Sequence, residues 1–116
     1  MTILVCGGRL FRPTAQSYST LADHLLPGTK LIHGGATGAD AFADEFAKGL
    51  GFVEVVPYRI TRAEWAQLGP AAGPIRNQRM LTEGKPDLVI AFPGGRGTAD
   101  MVERAEAAGI PVIRAK

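Results

Sequence analysis

The chain has 116 residues, 46% of them hydrophobic and 21% charged, the make-up of one ordinary globular domain. No apolar run approaches the ~18 residues that span a bilayer, no signal peptide precedes the first strand, and a net charge of +2 carries no nucleic-acid footprint without a clustered basic face. A single cysteine, Cys6, rules out an internal disulfide and leads us to expect a cytoplasmic protein.

Residues 3–6 open the chain as a continuous apolar run, followed by Gly7-Gly8-Arg9. A helix is expected after Arg12, with Pro13 suited to its first position and Tyr18, Leu21, Ala22 and Leu25 turned inward. Residues 31–32 form the second strand and lead into His33-Gly34-Gly35-Ala36-Thr37-Gly38-Ala39-Asp40. From 39 to 50, Ala39, Phe42, Ala43, Phe46, Ala47 and Leu50 make one apolar stripe, with Asp40, Asp44, Glu45 and Lys48 off it. That spacing predicts an amphipathic helix, stopped by Gly49 and Gly51. Residues 53–56 are the third strand. The segment 59–73 is the least regular, with a short helical turn at Ala63-Glu64-Trp65 and a loop over 69–73. Pro74 opens a helix to about Glu83. Residues 88–92 are the fourth strand, leading into Pro93-Gly94-Gly95-Arg96-Gly97-Thr98. A helix over 98–108 carries Met101, Val102, Ala105 and Ala108 as its apolar face and stops at Gly109 and Pro111. Residues 112–113 are the fifth strand.

The strand runs are mostly continuous rather than alternating, as in strands covered on both faces. Strands and helices alternate throughout. We therefore expect a single α/β domain over 1–116, Rossmann-like, with a five-stranded parallel sheet in order 3-2-1-4-5 and helices on both faces.

Such sheets bind ligands beyond the carboxyl ends of their strands. Three of the four crossovers there begin with glycines. Glycine lets backbone approach a ligand closely, and a helix N-terminus offers unpaired N–H groups and a positive dipole end. Gly7, Gly8, Arg9, Gly34, Gly35, Ala36, Gly38, Pro93, Gly94, Gly95, Arg96, Gly97 and Thr98 are thus candidates for holding phosphate. Arg76 and Asn77, in the first turn of the helix from Pro74, join them, and Arg76, Arg79 and Glu83 share a face. No Gly-Lys-Ser/Thr is present and no Gly-x-Gly-x-x-Gly follows the first strand, which argues against a P-loop nucleotidase and an ordinary dinucleotide dehydrogenase. Cys6 reads as a small core residue. His24 and His33 lack the company of metal ligands, so no metal and no resident cofactor is expected. His33 either lines the site or belongs to the core. Trp65 either caps a ligand base or closes the core.

Four ordered motifs, Cys6-Gly7-Gly8-Arg9, residues 34–40, Gly73-Pro74-Ile75-Arg76-Asn77 and residues 93–100, resemble the YspA, or cpYpsA-related, branch of the SLOG superfamily over nearly the whole chain. The resemblance implies a nucleotide or nucleotide-derived ligand, such as a nucleoside monophosphate or an ADP-ribose derivative, held by a sensor or processing module. The related LOG enzymes hydrolyse the N-glycosidic bond of nucleoside 5′-monophosphates and imply a homodimer or larger assembly. Their Pro-Gly-Gly-x-Gly-Thr-x-x-Glu matches residues 93–98 here, but Met101 stands at the glutamate position and Asp100 beside it. Their Arg-Lys-x-x-Met matches Arg76 and Met80, with Asn77 replacing the lysine. Bond cleavage needs a carboxylate that methionine cannot supply. The resemblance thus favours binding, with hydrolysis as the alternative, Arg76 positioning the substrate and Asp100 or Asp40 as the carboxylate. Single-stranded DNA binding, as in the related DNA-processing protein A group, is the third reading. It is disfavoured because aromatics such as Phe42 and Phe46 hold core-like positions and leave no stacking platform.

Overall fold

The computed structural model describes all residues 1–116. Five short strands form one sheet: β1 (Thr2–Cys6), β2 (Lys30–His33), β3 (Glu54–Pro57), β4 (Leu88–Ala91) and β5 (Val112–Arg114). Every pairing is parallel and the order is β3-β2-β1-β4-β5. In β1, Ile3 lies level with Leu31 of β2 and Leu88 of β4. The helices are α1 (Ala15–His24), α2 (Ala39–Leu50), α3 (Arg62–Leu68), α4 (Ala72–Gly84) and α5 (Arg96–Ala107). None is long and apolar enough to cross a membrane.

The continuous apolar runs are explained by two cores, one on each face of the sheet. Ile3, Val5, Leu31 and Ile90 point to one face, where Leu21 and Leu25, and Phe42, Ala43 and Ala47 of α2, cover them. Leu4, Ile32 and Val89 point to the other, under Met80 and Leu81 of α4 and Met101 and Ala105 of α5. Alternation of side chains along a strand thus sends every second residue into a different core, and both are apolar.

Four local expectations are corrected. The first helix begins at Ala15, with Thr14 as N-cap and a reciprocal capping box to Ser17, so Pro13 lies outside it. That cap sets the register: Ser17, Leu21 and Leu25 turn inward, whereas Tyr18 and Ala22 are exposed. Tyr18 still meets the Phe42 ring edge-on at 5.0 Å. The segment 59–73 is largely helical. Thr61 and Glu64 form a capping box that starts α3, and a 3-10 turn over Gly69–Ala71 runs into α4. Gly69, at φ 55°, ends α3. Pro74 falls within the first turn of α4, where its missing N–H costs nothing. Arg76 and Asn77 therefore lie in the second turn, not the first. Lastly, Asp40 is off the apolar stripe of α2 and yet buried.

Gly38 caps α2 at φ 73°, and a Cβ there would run into the carbonyls of Gly8 and Arg9. Gly49, in the last turn of α2, faces open space. Urea unfolding should therefore read opposite signs: Gly38→Ala loses at least about 2 kcal/mol, and Gly49→Ala gains about 0.5–1 kcal/mol.

Candidate functional site

The crossovers leaving β1 and β4 run to opposite sides of the sheet, so the chain diverges beyond the contact between Gly8 and Pro93. A cleft of about 700 Å³ opens there, within the usual range for small-molecule sites. Its rim is Gly7, Gly8 and Arg9 from the first loop, Gly34, Ala36 and Asp40 from the second, and Gly95, Arg96, Gly97 and Thr98 from the third. Arg76 and Asn77 of α4 and Asp100 of α5 complete the polar lining.

Gly8 joins the three loops. Its N–H donates to the Pro93 carbonyl at 2.9 Å, and its carbonyl accepts from Ala39 at 3.1 Å and Phe11 at 3.2 Å. Gly94 lies against Gly8 and the Thr98 side chain so closely that no Cβ fits. Gly38 and Gly94 thus serve loop packing and, with Pro93, stay outside the cleft wall. Gly35 lines a smaller adjoining hollow with Thr37 and Arg59.

The second loop already satisfies the N–H groups of Gly34, Gly35 and Ala36. Asp40 Oδ2 accepts from Gly34 and from Ala36, each at 3.1 Å. The Gly35 N–H donates to His33 Nδ1 at 2.9 Å. His33 Nδ1 therefore carries no proton, and its Nε2–H donates to Asp44 Oδ2 at 2.7 Å. A phosphate here would compete with the Asp40 carboxylate for the same donors. Burial raises the Asp40 carboxyl above its ordinary value, against the pull of the Ala36 N–H, His33 and Arg76. Burial, then the nearby Asp40 charge, pushes the Cys6 thiol up to about 12. Cys6 lines the cleft as a neutral thiol and supplies no thiolate nucleophile.

Arg76 lies directly over Gly34, where any Cβ would strike its guanidinium. Its Nη1 donates to the carbonyls of Gly34 at 2.6 Å and Tyr58 at 3.4 Å, and its Nε to Asn77 Oδ1 at 3.2 Å. Asn77 in turn donates to the Gly97 carbonyl at 3.2 Å and to Asp100 Oδ2 at 3.0 Å. The same oxygen of Asp100 accepts from Arg104 at 2.9 Å. Asn77 and Asp100 thus clamp α4 to the start of α5. Met101 is buried and forms the cleft floor with Met80.

The third loop differs from the second in one respect. Gly38 and Gly95 both cap their helices without a side-chain hydrogen bond, but the first turn of α5 holds no acidic residue, whereas that of α2 holds Asp40. Arg96 opens the α5 turn and is exposed, while the exposed Arg9 lines the same cleft from the side of the second loop.

No protein-family model matches the chain. It is 41% identical to the Gene 61 protein of Mycobacterium phage D29 over 119 residues, spanning 96% of this chain and 93% of that protein. The chain belongs to the Gene 61 protein family. That name states no activity, so the chemistry of this family member is argued from its cleft.

Sequence reasoning offered Trp65 as a cap for a ligand base but missed Ile60 and Pro70, which join it in one wall of the cleft. Ile60, Trp65 and Pro70, from the segment around α3, line it opposite the glycine loops. The signal was a lone tryptophan, 42% exposed, within a Gly- and Pro-rich stretch. Five of the other seven aromatics pack together: Phe11, Phe42 and Phe92 form one stack, and Tyr18 and Phe46 flank it. No group of three or more His, Cys, Asp or Glu side chains is placed to hold a metal.

The His33–Asp44 link gives a pH test. Partial burial pushes the Asp44 carboxyl up, but Lys48 and His33 outweigh it and hold the group below 3.8. A depressed carboxyl stabilises the fold above its unfolded value and loses that contribution as pH falls through its folded value. Asp44→Asn should therefore be less stable than wild type at pH 7, with the deficit shrinking below about pH 4 in parallel urea titrations.

Proposed function

We propose that this chain is a nucleotide-binding module of SLOG type, with the ligand's phosphate seated on the N-terminus of α5. The supporting observation is the first turn of α5 at the cleft rim, free of acidic side chains and opened by the exposed Arg96, with the exposed Arg9 lining the same cleft. Free N–H groups and the helix dipole favour an anion, and the arginines add charge-assisted bonds. Thr98 contributes a hydroxyl at the same rim. Ile60, Trp65 and Pro70 offer apolar surface for a base, with Trp65 suited to stacking.

Hydrolysis of the N-glycosidic bond is the second reading, and Asp40 is the observation that favours it. Water would attack the anomeric carbon, the base would leave with a proton, and ribose 5-phosphate would remain. Met101 is apolar and Asp100 is engaged by Asn77 and Arg104. Asp40 is then the carboxylate available, beside Arg76.

Isothermal titration should find AMP, GMP, CMP or UMP bound at least tenfold more tightly than the matching nucleoside, with Arg96→Ala weakening the nucleotide by about tenfold. Equal affinity for nucleotide and nucleoside would overturn the phosphate assignment. Chromatography after incubation with AMP, GMP, CMP and NAD separates the two readings. Free base, lost in Asp40→Asn, marks a hydrolase; intact ligand with binding retained marks a binding module.

A further inference from the structure

Asp40 is 5% exposed, and only one of its carboxylate oxygens is engaged. Oδ2 takes the N–H groups of Gly34 and Ala36. Those bonds fix the carboxylate's position. Oδ1 accepts no hydrogen bond from the chain. No fully buried side-chain oxygen or nitrogen lacks a partner, so Oδ1 reaches the cleft surface that Asp40 lines.

Arg76 is the matching donor. Its Nη1 and Nε are committed to Gly34, Tyr58 and Asn77, which orient the guanidinium. Its Nη2 donates to nothing in the chain. Asp40 and Arg76 are near enough to feel each other's charge, yet no hydrogen bond or ion pair joins them. A ligand group between them has to donate to Oδ1 and accept from Nη2 at once. Phosphate and carbonyl oxygens only accept, and an ammonium only donates. A hydroxyl does both.

We propose that Asp40 Oδ1 and Arg76 Nη2 together hold a sugar hydroxyl of the ligand, so that the cleft selects ribonucleotides over deoxyribonucleotides. This inference rests on the nucleotide reading above. It divides the cleft: phosphate on the first turn of α5, which carries no acidic side chain, and the sugar beside the one buried carboxylate, which repels phosphate. A pre-fixed charged acceptor is an effective discriminator, because a deoxy ligand leaves it desolvated and unpaired.

Titration calorimetry on the full chain tests it. AMP, GMP, CMP and UMP are compared first, then the 2′-deoxy and 3′-deoxy forms of the tightest binder. Wild type should lose about tenfold or more in affinity on removal of one of the two hydroxyls. Asp40→Asn should bind the ribonucleotide as weakly as wild type binds that deoxy form, while its own deoxy affinity stays within about twofold of wild type. The asparagine carbonyl can still accept from Gly34 and Ala36, so the thermal unfolding midpoint should stay near wild type. Equal wild-type affinity for ribo-, 2′-deoxy- and 3′-deoxynucleotides, with nucleotide still preferred over nucleoside, overturns the inference and leaves the nucleotide reading standing. So does selectivity for one base without selectivity for the sugar, which would place a base edge between the two side chains. An equal loss for both sugars in Asp40→Asn also overturns it, since Asp40 would then only hold the loop. Binding of no nucleotide removes both readings together.

Discussion

The cleft depends on a backbone approach that only glycine permits. Gly8 gives its N–H to the loop after β4 and its carbonyl to the first residue of α2. The loops after β1, β2 and β4 thus meet at a single peptide. Gly38 and Gly94 press on it from either side, with no room for a Cβ at either position. The sheet sets the spacing of these loops, because β1 lies between β2 and β4 with Ile3 level with both neighbours. Loop geometry and sheet register are therefore one constraint. A disturbance at Gly8 would reach three rims of the cleft.

Within that frame, two loops with similar glycine content have opposite electrostatic character. The loop after β2 folds around its own acceptors, Asp40 and His33, which take the N–H groups of Gly34, Gly35 and Ala36. The loop after β4 leads into a helix whose first turn carries no acid and no side-chain cap. Glycine richness alone does not decide which case applies. The deciding residue is the carboxylate in the first turn, which acts as an internal anion at α2 and has no counterpart at α5. Arg76 keeps the Asp40 charge tolerable from the α4 side, while Asn77 and Asp100 fix α4 against α5. The polar half of the cleft is thus a continuous network from α2 through α4 to α5.

Much of this architecture was legible from residue order. Two apolar cores require continuous apolar strands, and those runs predicted a parallel sheet in the observed order. The Ala39–Leu50 stripe predicted α2 to the residue. What was illegible depended on short-range caps or long-range partners. The inward face of α1 was misplaced because the Thr14–Ser17 capping box, rather than Pro13, sets its start. Helix α3 was reduced to a turn because its capping box lies among glycines and prolines, which locally argue for a loop. The burial of Asp40 was invisible because its partners, two N–H groups and Arg76, converge only in three dimensions.

Helix α3 buries none of its residues, yet with Ile60 and Pro70 it walls one side of the cleft. It is held by its own cap and by the half-buried Glu64–Arg79 pair at 3.3 Å. Such a wall contributes little to either core, so sequence drift there costs the fold little. The glycine loops have no such freedom. Tolerance to substitution is therefore uneven around the cleft: the glycine-loop side is fixed by packing, while the wall of Ile60, α3 and Pro70 can be altered one residue at a time at little cost to the fold.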